Sequence, residues 1–190
     1  MKVHAIAAAL LFCVSTPLLA APEQKPYRYD SLASAPAAAA DREVAGLFDQ
    51  WNQALQSGDV AKVVSLYSAD AVLQPTVSNR VRASSAEIRD YFEHFLALKP
   101  VGEINYREIR RLGPTTALDS GVYTFHLTNA AGEKSDVQAR YTFVYTLVDG
   151  QWKILNHHSS AMPEVVPTSV ASKARHCLLY TSDAADEGLG

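Results

Sequence analysis

The spacing of apolar residues changes once along this chain, at Pro100, and that change limits the folds open to it. Before Pro100 the apolar positions recur every three or four residues. Val44, Leu47, Phe48, Trp51 and Leu55 share one helical face. Gly58 ends that helix and Asp59 caps the next, whose stripe is Val60, Val63, Val64 and Tyr67. "SADAVLQPT" (68–76) turns into a brief strand with Pro75 at its edge. Ser84 and Glu87 form a capping box for a third helix, with Ile88, Tyr91, Phe92, Phe95 and Leu96 on its apolar face.

After Pro100 the period is two. Residues 103–112, 117–128, 136–148 and 151–162 predict four long strands, separated by "GPT", "NAAGEK" and "DG". Asp149-Gly150 is the firmest turn signal in the chain. Three helices followed by an antiparallel meander predict an α+β fold, with the helices packed on a curved, mainly antiparallel sheet. Aromatics fall on both strand faces, so one side can pack on the helices while the other meets a second subunit.

The two ends read differently from this core. Residues 1–20 have a charged start, an apolar run too short for a membrane helix and small residues before a cleavage point after Ala20. They predict a signal peptide, hence an exported protein, periplasmic or secreted, with no membrane association after cleavage. Residues 21–40, rich in proline and alanine, predict a linker to a domain spanning 41–164. Residues 165–190 form a tail, within which "CLLYTSDAADE" (177–187) resembles the translation of a sequencing adapter, so 177–190 is expected to be artefactual.

The two cysteines, Cys13 and Cys177, both lie in these ends, which leaves the domain without a disulfide or a thiolate metal site. The net charge is −3, with no basic stripe of the kind nucleic-acid binding demands.

Three segments carry a resemblance: "FDQWNQALQSGDVAKVVSLYSADAVL" (48–73), "LGPTTALDSGVYTF" (112–125) and "ARYTFVYTLVDGQWKILNHHSSAMPE" (139–164). They resemble the NTF2-like superfamily, whose fold is a cone. Within it they are most similar to the association-domain family of calcium/calmodulin-dependent protein kinase II and its bacterial SnoaL-like relatives. The resemblance implies a pocket between sheet and helices, a sheet face used for self-association, and pocket arginines that hold a small carboxylate. It places Arg140 at one arginine position and puts His126 and Ser159 where the family has two others.

"HHSSAMPE" (157–164) invites a metal or nucleophile reading. On a strand His157 and His158 point to opposite faces, so they cannot easily share one ion, and no metal site is expected. Ser159 and Ser160 lack a nucleophile elbow. One histidine is expected to face the pocket and the other the opposite face, with His158 and Ser159 as the ligand-facing candidates. Arg140 has two placements: in the pocket, which the resemblance favours, or on the interface face, bonded across strands to an acid such as Asp119. His126 is a candidate base or a hydrogen-bonded structural histidine. Trp51, Tyr67, Tyr91 and Phe95 belong to helical faces that meet the sheet and can line a pocket. "REIRR" (107–111) reads as a solvated or interface strand surface.

Three functions are therefore expected, in order. The first is an exported domain that binds a small organic ligand, with a carboxylate as one option, and forms a homodimer or larger homo-oligomer through the sheet. The second is an isomerase, cyclase or dehydratase of ketosteroid-isomerase type with a pocket histidine as base. The third is an oligomerisation module without a ligand. No cofactor is implied.

Overall fold

The structure, a computed structural model, describes residues 27–164. The expected signal peptide, the first six residues of the linker and the tail from 165 onward lie outside the described residues.

Helix α1 (Ala39–Gln56) begins two residues before the expected domain boundary. Its N-cap, Ala38, offers no side-chain acceptor. The Arg42 guanidinium instead ties the preceding chain down by donating to the carbonyls of Pro36 and Ala37. The helix stops at Gly58, in the left-handed region at φ 69° that glycine tolerates best. Asp59 then caps α2 (Val60–Ser65) by accepting from the amides of Ala61 and Lys62. Tyr67 opens strand β1 (Tyr67–Gln74) and does not extend the second helix. Ser84 and Glu87 cap α3 (Ser85–Phe95) as expected. One 3₁₀ turn (Leu96–Leu98) follows before Lys99 turns the chain at φ 47°.

Strands β2 (Val101–Arg111), β3 (Thr116–Thr128), β4 (Lys134–Val148) and β5 (Gln151–Ala161) form the meander. The sheet order is β1-β5-β4-β3-β2, antiparallel throughout except where β1 runs parallel to β5. Asp149 and Gly150 both take positive φ, the conformation a two-residue hairpin of matching twist requires. Bulges at Ile104/Tyr106 and Val144/Tyr145 break the register and add curvature. Opposite the first bulge Gly121 is obligatory: a Cβ there would lie 1.9 Å from the Tyr106 carbonyl oxygen.

Strand alternation sets two faces. Tyr123 and Phe125 of β3, Ala139, Tyr141, Phe143 and Tyr145 of β4, and Ile154 of β5 are buried on the inner face. Helix α1 lays Phe48 and Trp51 on them, with Trp51 5.3 Å from Phe143 between ring centroids. Asn52 fixes this helix to the sheet edge, donating to the Gly102 carbonyl and accepting from its amide, both at 2.9 Å. The described part of the linker runs extended along the outer side of β2. Ala33 donates to the Ile104 carbonyl at 2.9 Å, Gln138 donates to the Tyr29 carbonyl at 3.1 Å, and the Tyr29 ring lies 5.7 Å from Tyr106.

Candidate functional site

The inner face closes on a cavity of about 70 Å³ between β3–β5, α1 and α3. Trp51, Tyr91, Phe92 and Phe95 from the helices face Tyr123, Phe125, His157 and Ser159 from the sheet. Among the described residues no charged side chain lines it. Its more exposed walls, Val77, Leu127 and Val137, mark the mouth.

Two polar groups stand out on this aromatic wall. His157 is 4% exposed and stacks on Phe143, with centroids 4.0 Å apart. Its Nδ1 is 3.0 Å from the Tyr67 hydroxyl, while its Nε2 is buried with no partner among the described residues. Burial, assisted by the neighbouring His158, lowers its pKa to about 3, so the ring is neutral at ordinary pH. Burial also keeps the Tyr67 phenol protonated well beyond its usual range. The second group is Ser159, which accepts from the Tyr123 hydroxyl at 2.5 Å and shares a hydrogen bond with Thr76. Trp51 Nε1 also finds no aligned partner.

A charged pair lies elsewhere on the inner face, outside the lining of this cavity. Asp119 is fully buried and lies 3.2 Å from Arg107 Nε, a contact not aligned as a hydrogen bond, while Tyr141 donates to it at 2.9 Å. Burial pushes the Asp119 carboxyl up to about 6 despite Arg107 and Tyr141. Burial also opposes the Arg107 charge, but its neighbours, led by Asp119, outweigh this and hold it protonated. The pair is therefore ionised at neutral pH and loses its negative member as pH falls past 6.

Several sequence expectations need correction. Arg140, assigned to the pocket by the resemblance, is exposed on the outer face, where its Nε donates to Ser160 Oγ at 3.2 Å. It does not bond Asp119, whose cation is Arg107. His126 is also outside the cone, between Asp136 (2.7 Å at Nδ1) and Glu103 (3.3 Å at Nε2), which raise its pKa. From there it cannot act as a base on anything held in the cavity. His158 is exposed on that outer face, and His157 is the inward histidine. The cause is parity: positions 139, 141, 143 and 145 are the buried ones, so 140 must point outward.

Of the other candidates, Trp51, Tyr91, Phe95 and Ser159 line the cavity, and Tyr67 reaches it through His157. "REIRR" is not wholly solvated, since Arg107 is largely buried. Sequence reasoning passed over Arg107 and Tyr141 as site residues and left open which of His157 and His158 faces the pocket, though a charge at an inward position of a strand pattern was the available signal for Arg107.

On the outer face, Arg140, His126, Gln138 and Tyr29 line an open groove of about 630 Å³. Glu103 and Asp136 hold opposite nitrogens of one imidazole, so the three cannot close on one ion. Among the described residues no group of His, Cys, Asp and Glu side chains could hold a metal, and no helix is long and apolar enough to cross a membrane.

Comparison with known proteins adds a family assignment. The model of the calcium/calmodulin dependent protein kinase II association domain matches residues 40–163. A crystal structure from Xanthomonas campestris, described as such an association domain, is 59% identical. The match covers 74% of this chain and all of that one, with a TM-score of 0.72. An NTF2-like protein from Pseudomonas putida (19% identity, 70% and 97% covered, TM-score 0.56) shares the fold. So does a protein from Novosphingobium aromaticivorans described as a scytalone dehydratase (14% identity, 70% and 91% covered, TM-score 0.58). A search of curated protein sequences found no match.

Proposed function

The chain belongs to the calcium/calmodulin dependent protein kinase II association-domain family, on an NTF2-like cone, and from that premise we propose that it is a self-associating module whose cone holds a small, uncharged organic ligand. The observation that carries the ligand half is the cavity wall: aromatic, free of charge among the described residues, and including a neutral His157 ring whose buried Nε2 has no partner among them. Native interiors leave few buried polar atoms unsatisfied, and such an atom on a cavity wall is a ready contact for a ligand. A carboxylate would enter without a counter-charge, because Arg140 lies on the other side of the sheet. The carboxylate option is therefore set aside.

Self-association is supported by the family and by the outer face of β3–β5. Leu118, Thr142, Val144, Thr146 and Asn156 are half-exposed there, away from the groove beside Tyr29. Export, with cleavage after Ala20, completes the reading and is checked by the mass of the mature chain.

The test is thermal denaturation of the full chain against small neutral aromatics and their matched carboxylates, with sedimentation velocity alongside. A ligand at about 100 times its Kd adds roughly 2.7 kcal/mol. Stabilisation by the neutral set alone, in a species larger than a monomer, is expected. An oligomer that no compound stabilises would favour the assembly-only reading.

A further inference from the structure

The reading above leaves the ligand's chemistry open, and the hydrogen-bond pattern around His157 narrows it. The Tyr67 hydroxyl and His157 Nδ1 form one hydrogen bond, which either group could donate. If Nδ1 carried the proton, the Tyr67 hydrogen and the Nε2 lone pair would both be left without partners in a buried site. If Tyr67 donates, Nδ1 is satisfied as an acceptor and only one group of this pair remains unpaired, the Nε2–H. The second arrangement leaves fewer buried polar groups unsatisfied and is favoured. A ring that lines the cavity therefore carries an unpaired Nε2–H, and Trp51 Nε1–H is a second buried N–H on the lining without a partner among the described residues. The cavity's hydroxyls, on Tyr123, Ser159 and Thr76, already engage one another.

The surroundings set the rest of the ligand. Trp51, Phe92, Phe95 and Phe125 pack on one another edge to face, forming an apolar wall against which a flat ring can lie. A cavity of about 70 Å³ is smaller than the roughly 150 Å³ that admits benzene. Only the polar end and part of a ring fit inside, with the remainder at the mouth against Val77, Leu127 and Val137.

We propose that the cone is a site for a small uncharged aryl carbonyl compound, whose oxygen accepts the hydrogen bond of His157 Nε2–H and whose ring lies against the aromatic wall and extends to the mouth. This rests on the ligand-binding reading above and goes further by naming the acceptor, the donor and the absence of charge. Satisfying the orphan donor supplies the discrimination, because a hydrocarbon of the same shape leaves it unpaired.

Acetophenone, ethylbenzene and benzoate are the probes, titrated by NMR against the full chain and against His157→Phe, which keeps a ring on Phe143 but removes the donor. The acetophenone-to-ethylbenzene affinity ratio is expected to fall about tenfold in the variant, with benzoate weakest in both proteins. The carbonyl carbon of ¹³C-labelled acetophenone is expected to shift downfield on binding to the natural sequence, a readout that stands even if the variant fails to fold. An unchanged ratio or an unshifted carbonyl carbon would overturn the carbonyl assignment and leave a general apolar cone. Preference for benzoate would overturn the uncharged class. Binding of none of the three would overturn this inference and the ligand reading together.

Discussion

Tyr67 and His157, ninety residues apart, share a hydrogen bond of 3.0 Å inside an otherwise aromatic wall. One residue opens β1 and the other sits near the end of β5, the parallel pair in which Leu73 lies beside His157. The bond thus sets the orientation of the imidazole that lines the cavity. Tyr67→Phe removes the donor and leaves Nδ1 buried and unpaired. The expected cost is about 1–3 kcal/mol in urea unfolding, and a loss below a few tenths would contradict this role.

The acid limb of stability has two opposed contributors. His157 has a folded pKa near 3 against an ordinary 6.5. Its contribution is therefore present above pH 6.5 and is lost as pH falls toward 3. Asp119 is raised from 3.8 to about 6, so its contribution is present below pH 3.8 and is lost as pH rises through 6. Between pH 4 and 6 the two slopes partly cancel. Asp119→Asn is expected to steepen the loss on acidification in that window, and His157→Phe to reverse it. Parallel curves for all three proteins would refute the assignment.

Arg107 and Asp119 are predicted to depend on each other. Arg107→Met leaves a buried carboxylate with only Tyr141, at an expected cost of about 3–5 kcal/mol. Combining it with Asp119→Leu should recover part of that loss, because both desolvated charges are then gone. A strictly additive double mutant, by urea denaturation, would mean the two do not act as a pair.

Gly121→Ala tests the bulge. Its methyl would meet the Tyr106 carbonyl at 1.9 Å, and backbone cannot give way as a flexible side chain can. A loss of about 2 kcal/mol or more is expected, whereas Gly46→Ala, with open space around its Cβ, should not lower stability.

Self-association through the outer face predicts that Val144→Lys dissociates the assembly without unfolding it. Sedimentation velocity should show a smaller species with unchanged circular dichroism. An unaltered oligomer would move the interface elsewhere.

The helices and strands were legible because their residues follow two simple periods, and turns such as Asp149-Gly150 announce themselves chemically. Alternation along "ARYTFVYT" also contained the answer for Arg140, since the aromatic positions own the core and 140 falls between them. What misled was the resemblance, which carried an arginine role onto a residue of the wrong parity. The choice between His157 and His158 was not available from alternation alone, because the bulge at Val144/Tyr145 shifts the register of β5 against β4. The Arg107–Asp119 contact joins residues on either side of a strand turn, both set in polar-looking segments. Only the pairing of Arg107 with Gly121 and of Ile109 with Asp119 places them together.

The central claim is that the cone offers a neutral imidazole donor to a small uncharged ligand. The most direct test is a long-range ¹H–¹⁵N correlation of the histidine rings in the full chain, recorded from pH 8 to 5 and then with saturating acetophenone. The account predicts that His157 stays neutral across that range with its proton on Nε2, and that this nitrogen shifts when the ligand binds. A His157 signal titrating near 6.5, or one unmoved by a ligand that does bind, would contradict it.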